Sequence, residues 1–116
     1  MSEMAGLTVR WSLAAAPEGV EDALASYVAD TSHGRFQGME GLAYKTWRMA
    51  PGEWFEGCYV FADAAAREGF QTTFSAGAAA APGSKIIGSA PILIEPCEIV
   101  SIAEGAAGFA VARRGE

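Results

Sequence analysis

The sequence predicts an α+β fold whose elements follow the order β-α-β-β-α-β. This prediction rests on three observations: four short strand-like segments rich in apolar residues, two stretches with helical spacing, and a tight-turn sequence between the two middle strands. The chain has 116 residues, of which 51% are hydrophobic and 19% charged, as is typical of one packed domain. We expect a single domain over residues 1–116, with an ordered core at about 6–103 and a loose tail at 104–116.

The first strand and the first helix are predicted from apolar spacing. Residues 6–13 alternate, so Val9 and Trp11 would point to one side of a sheet and the polar residues between them to the other. A helix is expected to begin near Pro17, which the first helical turn tolerates, and to end at Gly34. This helix would then be followed by a turn into the second strand.

The middle of the chain predicts a hairpin and a second helix. Strands over 42–49 and 55–62 flank the segment 50–53, Ala-Pro-Gly-Glu, which has Pro and Gly at the two central positions of a turn. Asp63 is a good N-cap for the second helix, which would end within 78–84. An irregular turn is expected over 85–90.

The last strand, at about 92–102, contains Pro96, which favours an edge strand or a bulge. The order of elements predicts a ferredoxin-like fold, in which both helices lie on one face of a four-stranded antiparallel sheet. The other face would stay uncovered in one copy. We therefore expect a homodimer in which two sheets face each other.

Composition and charge argue against several classes of partner. The formal net charge is −6 and no basic stripe is present, so we expect no binding to nucleic acid. No segment has the length and apolarity of a membrane span and the start has no leader pattern, so we expect a cytoplasmic protein with no membrane contact. Cys58 and Cys97 lie in apolar runs and are interpreted as core residues, although a disulfide stays open.

Two segments in the middle of the chain resemble the YdhR-like monooxygenase family. They are GMEGLAYKTW at 38–47 and EGCYVFAD at 56–63, and the closing segment PILIEPCEI at 91–99 is also similar to that family. The likeness runs from about residue 7 to residue 103. It implies a dimeric α+β barrel, in a superfamily that also contains the antibiotic-biosynthesis monooxygenases.

The resemblance implies a cofactor-independent monooxygenase that acts on a small aromatic or polyketide-type molecule, with a cavity between the sheet and the helices. In that chemistry the substrate anion gives the electron to oxygen, while the protein desolvates the substrate, helps to deprotonate it and holds the anion. Two alternatives stay open. One is a non-catalytic small-ligand-binding dimer, and the other is an isomerase or lactone-processing enzyme resembling muconolactone isomerase.

We expect no metal, flavin or haem as cofactor. The sequence has no glycine loop that would cradle phosphates, and its one histidine and two isolated cysteines lack the spacing of a metal site. The haem-degrading relatives carry an iron-binding histidine on the second helix, and residues 63–78 contain none.

Aromatic residues that would converge on the helix side of the sheet are the candidate binding site. A ligand cavity lined by apolar rings is the usual form of a small-molecule site, and the same rings can equally be core residues. Trp11 and Phe61 are expected on the two central strands. The residues predicted to bind substrate are Trp11, Tyr27, Tyr44, Trp47, Phe61, Phe70 and Phe74.

Two side chains are the candidate catalytic residues. The hydroxyl of Tyr59 could donate a hydrogen bond to an oxyanion. His33 is the candidate general base, because histidine is the residue type that exchanges protons near neutral pH, although a solvated loop residue is the other interpretation. We expect His33 at the mouth of the cavity.

The face of the second strand depends on its register. If the turn closes a two-residue hairpin, Tyr44 lies beside Tyr59 and Trp47 lies opposite Glu56. This register sends Lys45 and Trp47 to the dimer face. A shift of one residue reverses the two faces.

Overall fold

The computed structural model describes residues 3–112 and Arg114. Four antiparallel strands form one sheet in the order β2-β3-β1-β4, and the strands are Ala5–Ser12 (β1), Leu42–Ala50 (β2), Trp54–Phe61 (β3) and Leu93–Glu98 (β4). The first and third strands are the central pair, and the helices pack on one face of the sheet. The predicted ferredoxin-like α+β fold is confirmed.

The first helical segment begins and ends later in the chain than the sequence predicted. It consists of α1 (Val20–Tyr27), a π-helical part (Val28–Ser32) and α2 (His33–Phe36), which follow one another without a break. The prediction that Gly34 ends this helix is wrong, since Gly34 lies inside α2. The helix ends just before Gly38, whose φ of 75° is in the region that favours glycine. His33 therefore lies on a helix and not in a loop.

The second helical segment begins as predicted but continues further. The side chain of Asp63 accepts a hydrogen bond of 2.8 Å from the Ala66 amide, which confirms it as the N-cap of α3 (Ala64–Ala76). A short 3₁₀ turn (Ala78–Ala80) then leads into α4 (Pro82–Ile87). The sequence predicted an irregular turn here, whereas Pro82 takes the first position of a helix, where its missing N–H costs nothing.

The added helix α4 covers Trp11. The indole Nε1 donates a hydrogen bond of 2.9 Å to the Ser84 hydroxyl, which itself donates to the Ala78 carbonyl at 2.6 Å. Gly83 lies so close that a Cβ there would sit 3.3 Å from the indole ring. The polar edge of a buried tryptophan is thereby satisfied, and its ring becomes part of the core.

The pairing of β2 with β3 differs by one residue from the two-residue hairpin. The Glu53 amide donates to the Ala50 carbonyl at 2.9 Å, so the turn forms where predicted, but Ala50 pairs with Trp54. The carbonyl of Glu53 accepts a hydrogen bond of 2.9 Å from the Leu13 amide, so it does not accept one from an amide of β2. This one-residue shift moves Lys45 to the helix face.

The opposite face of the sheet carries a buried ion cluster. Glu56 is 0% exposed, and it accepts hydrogen bonds from the guanidinium groups of Arg10 (2.8 Å) and Arg48. Burial raises the pKa of Glu56, but the two hydrogen bonds outweigh burial and the pKa is lowered. Arg10 and Arg48 thus share one buried acidic partner on this face.

The last strand is an edge strand, as Pro96 predicted, but it ends at Glu98. The chain then crosses the face that the helices leave free. The Ile99 side chain occupies the space beside Gly6, and the Phe109 ring lies 5.3 Å from the Tyr44 ring. The described residues after Ile99, including those of the tail predicted at 104–116, contain neither helix nor strand.

Met1, Ser2 and the tail residues Arg113, Gly115 and Glu116 lie outside the described residues. Among the helices that are described, none has the length and apolarity needed to cross a membrane. The cytoplasmic location stays a prediction.

Phe61 provides a test of the core. Its side chain is 2% exposed and packs against the rings of Tyr59 and Phe70, so Phe61→Ala should lower the free energy of unfolding by about 3–5 kcal/mol. Phe109→Ala is the matched control, because Phe109 is 63% exposed and its removal should change stability by less than about 1 kcal/mol. Urea unfolding measures both. Equal losses in the two variants would contradict this description of the core.

Candidate functional site

A cavity of about 560 Å³ opens at the β2 edge of the sheet. The first helical segment forms one wall, β2 forms the floor, and tail residues 108–112 form the opposite wall. Such a volume is in the range of small-molecule sites in proteins. We call this space the edge cavity.

The π-helical part of the first helical segment leads directly into the residues that cover β2. After it, His33 and Phe36 both lie against Trp47, with ring centroids 5.7 and 5.9 Å away. The Nε2 atom of His33 also lies 3.0 Å from the Gln37 side-chain oxygen, one helical turn later. Breaks in regular α-helical bonding of this type are frequent at functional sites.

Lys45 lies among three aromatic rings in the wall of the edge cavity. Its Nζ atom is 3.4 Å from the ring centroid of Phe36, 4.2 Å from that of Tyr59 and 4.3 Å from that of Trp47. All three distances are within the range of cation–π attraction. Within residues 3–112 and Arg114, no carboxylate forms a salt bridge with this amine.

The environment of Lys45 favours the neutral amine. Burial, and secondly the positive charge of Arg35, lower the pKa of Lys45 from its ordinary 10.5 to about 6. The ring faces act in the opposite direction, because their quadrupoles favour the ammonium. A lysine near its pKa at neutral pH can accept a proton or attack an electrophile.

Tyr59 lies behind Lys45. Its ring is 5% exposed and packs against Phe36 at 5.7 Å and Phe70 at 4.8 Å between centroids. Burial is the largest cause that raises the pKa of Tyr59, so the hydroxyl stays protonated at physiological pH. Tyr59 can therefore donate a hydrogen bond, but it cannot serve as a general base.

The structure separates the predicted site residues into two groups. His33, Tyr44 and Trp47 line the edge cavity. Tyr44 does so from the opposite face of β2, which is accessible because β2 is an edge strand. The predicted residues that do not line it are Trp11, Tyr27, Tyr59, Phe61, Phe70 and Phe74.

Most of the second group fills the space between sheet and helices where the sequence predicted a cavity. The Phe70 ring lies 5.4 Å from Phe61 and 6.0 Å from Phe74, and Phe74 packs edge-on at 6.3 Å from Trp11. These rings contact one another and form part of the core. The prediction that these residues bind a ligand stays a prediction.

The sequence contained a signal for Lys45 that the predicted register concealed. Lys45, Trp47 and Met49 alternate along β2, and the last two are apolar. The alternation therefore places the charged residue Lys45 on the same face as two apolar side chains, which is the face expected to pack on the core. The intervening positions are Tyr44, Thr46 and Arg48, the more polar set, which suits the other face.

Among the described residues, no group of three or more potential metal-ligating side chains comes together. The residues that surround the edge cavity are aromatic, small or basic, and they provide no carboxylate or thiol cluster around which a metal could be held.

The chain matches no family model and no curated protein sequence. It is similar in structure to a Nitrosomonas europaea protein of unknown function, NE2512, with a TM-score of 0.62 and 25% sequence identity over 91% of this chain and 97% of that one. It also aligns with a candidate antibiotic biosynthesis monooxygenase from Chloroflexus aurantiacus, with a TM-score of 0.46 and 15% identity over 94% and 99% of the two chains. The first similarity agrees with the fold described above.

The pH dependence of stability tests the lowered pKa of Lys45. Above pH 6 the folded protein holds a neutral amine, whereas the unfolded chain keeps it protonated up to about pH 10.5. Unfolding therefore takes up a proton in this window, and stability should rise with pH. Relative to Lys45→Met, the wild type should gain free energy of unfolding from pH 6 to pH 9, by no more than about 1.4 kcal/mol per pH unit.

The comparison with Lys45→Met isolates this group, because the neighbouring Arg35, His33, Cys58 and Tyr59 are present in both proteins. Chemical unfolding at a series of pH values supplies the measurement. A difference between the two proteins that does not change with pH would mean that the Lys45 amine is solvated like an ordinary lysine.

Proposed function

We propose that the protein is a cofactor-independent monooxygenase that acts on a small aromatic molecule with an acidic proton, such as a phenol or an anthrone. The observation that carries this proposal is Lys45, which lines a cavity of about 560 Å³ and whose amine has a pKa lowered to about 6. Oxidation of such a molecule by dioxygen begins with its deprotonation. A base that is neutral at physiological pH is therefore the first requirement.

The reaction proceeds in balanced steps. The neutral Lys45 amine takes a proton from the substrate, which becomes an anion beside the new ammonium. The anion transfers an electron to dioxygen, and the resulting pair combines to a peroxide at the same carbon, which takes the proton back from the Lys45 ammonium. Loss of water then leaves a carbonyl group, so that an anthrone and one dioxygen give a quinone and one water. The substrate supplies all four electrons.

The surrounding residues support the anion and exclude water. Phe36 and Trp47 provide flat apolar surfaces next to the amine, which suit an aromatic ring. Tyr59 does not line the edge cavity, but its ring centroid lies 4.2 Å from the Lys45 amine, and its hydroxyl, which retains its proton, is proposed to donate a hydrogen bond to an oxyanion formed beside that amine. His33 lines the cavity and is the second candidate base; a proton that it took from the substrate would return to the peroxide.

A non-catalytic ligand-binding protein is the second candidate. The aromatic walls of the edge cavity favour it as much as they favour an enzyme, because stacking surfaces alone are sufficient for binding. The two functions differ in turnover only. The isomerase alternative needs two ionisable groups that face the same substrate. Lys45 and His33 both line the edge cavity, so this alternative stays open.

We also propose that two copies pair through the sheet face that carries Glu56, Cys58 and Val60. The helices leave this face free, and the chain that follows β4 crosses it and exposes several apolar side chains, which are Val100, Ile102, Phe109 and Val111. A group of exposed apolar side chains is typical of a surface that a partner covers. The ion cluster around Glu56 would then lie near the interface.

Oxygen uptake with an anthrone substrate tests the enzymatic proposal. The wild type should consume dioxygen and form the quinone in equal amounts, and the reaction should persist with a chelator present. Lys45→Met should lower kcat by about 10²–10⁴-fold, which is the usual contribution of a general base. Tyr59→Phe should reduce turnover or affinity while the fold stays intact.

Lys85→Met is the matched control, because Lys85 is exposed on α4 and outside the edge cavity. It should leave turnover unchanged. An anthrone that binds, as judged by a thermal shift, but is not consumed would support the binding protein instead. Loss of activity in the presence of chelator would show that the reaction needs a metal.

Sedimentation tests the pairing of two copies. At micromolar concentration the wild type should sediment with twice the mass of one chain, since an interface of this kind buries about 1,600 Å² or more. Val100→Lys places a charge on an exposed apolar side chain of the proposed interface and should shift the mass toward one chain. A wild-type mass of one chain throughout this concentration range would refute the dimer.

A further inference from the structure

We propose that Lys45 forms a covalent imine with small aromatic or apolar aldehydes that enter the edge cavity. This inference uses the same cavity as the proposed function but a different reaction, because a C–N bond forms and no oxygen is needed. Lys45 lines the cavity, and its Nζ atom is held 3.4 to 4.3 Å from three ring centroids. We infer that an aldehyde that enters the cavity brings its carbonyl carbon to this amine.

The first argument is the absence of an ionic partner. Arg10 and Arg48, on the opposite face, share the carboxylate of Glu56 as their ionic partner. Lys45 has no such carboxylate within the part of the chain that the structure describes. A salt bridge would hold the amine as an ammonium, which has no lone pair, whereas an unpaired lysine in apolar surroundings is the typical environment of imine-forming lysines.

The second argument is the charge state of the amine. Burial lowers the pKa of Lys45 to about 6, with Arg35 as the next contributor, so the lone pair is free at neutral pH. The charged and titratable groups around it are Arg35 and His33 on the helical side and Tyr59 and Cys58 on β3. None of these is an anion that would favour the protonated amine at neutral pH.

The third argument concerns the product. The Nζ lone pair attacks the carbonyl carbon, a proton moves from nitrogen to oxygen, and the resulting carbinolamine loses one water to give the imine. Atoms and electrons balance without an oxidant or a reductant. The protonated imine is a cation, and the faces of Phe36, Trp47 and Tyr59 that surround the amine would stabilise it.

The sequence itself offers an internal comparison. It contains two lysines, of which Lys45 borders the edge cavity and Lys85 is exposed on α4. Any reagent that modifies amines without selection should modify exposed Lys85 first. Faster modification of Lys45 than of Lys85 would therefore show that the surroundings of Lys45 make its amine more reactive.

Reductive trapping tests the proposal. The full-length protein is incubated at neutral pH under argon with benzaldehyde and cyanoborohydride, which reduces an imine to a stable secondary amine. Apart from any label on the α-amino group, which is also partly deprotonated at neutral pH, we expect one benzyl group per chain, and peptide mapping should locate it at Lys45. Labelling of Lys45 should be at least about tenfold faster than that of Lys85, because only the deprotonated amine is a nucleophile.

The controls distinguish a site from general reactivity. Lys45→Arg should abolish the fast labelling, and Lys85→Arg should leave it unchanged. In urea the preference for Lys45 should disappear. Equal labelling of both lysines in the folded wild type, or faster labelling of Lys85, would overturn the inference.

The outcome is separable from that of the oxygenase proposal, because labelling is measured without oxygen and turnover is measured without aldehyde. Fast trapping at Lys45 in a protein that consumes no oxygen would support the imine and refute the oxygenase. Oxygen consumption that depends on Lys45, together with no trapping, would do the reverse.

Discussion

The register of β2 against β3 is the constraint on which the site depends. The turn at 50–53 leaves Glu53 bonded to the Leu13 amide, so β2 begins its pairing at Ala50 and Trp54. A hydrogen bond of 2.9 Å from the Gly52 amide to the Glu21 side chain ties the same turn to α1. Because successive side chains of a strand point to opposite faces, one residue of register decides whether Lys45 meets helices or solvent.

The charged groups on the two faces of the sheet have different partners. Around Glu56, hydrogen bonds from two guanidinium groups offset the cost of burying a carboxylate, and the cluster is satisfied within itself. Around Lys45, aromatic rings provide only a partial replacement for water. On the first face the buried carboxylate is hydrogen-bonded to groups of opposite charge. The second face carries an amine whose neutral and protonated forms are close in free energy. Reactivity is expected where charge is incompletely compensated.

The edge cavity depends on elements that are remote in sequence. The first helical segment continues through a π-helical part to Phe36, which brings His33 and Phe36 over β2. From the other end of the chain, residues 108–112 complete the wall, and Arg114 forms a salt bridge of 3.1 Å with Asp22 on α1. A site built from both ends of the chain is sensitive to how the tail is placed. A partner that displaced the tail would also open the cavity.

The sequence by itself determined the number, type and order of the strands and the sheet order, because alternation and turn residues act over a few positions. It also identified local features such as the Asp63 cap and the edge position of β4. The tertiary structure alone decided the rest. Gly34 stays helical because the helix continues across β2, and α4 forms against Trp11, whose indole it covers. The face of Lys45 was set by a contact between Glu53 and Leu13, 40 residues apart along the chain. Such long-range contacts leave no local pattern of their own. For this reason the candidate cavity lies at the edge of the sheet, whereas the sequence predicted one between the sheet and the helices.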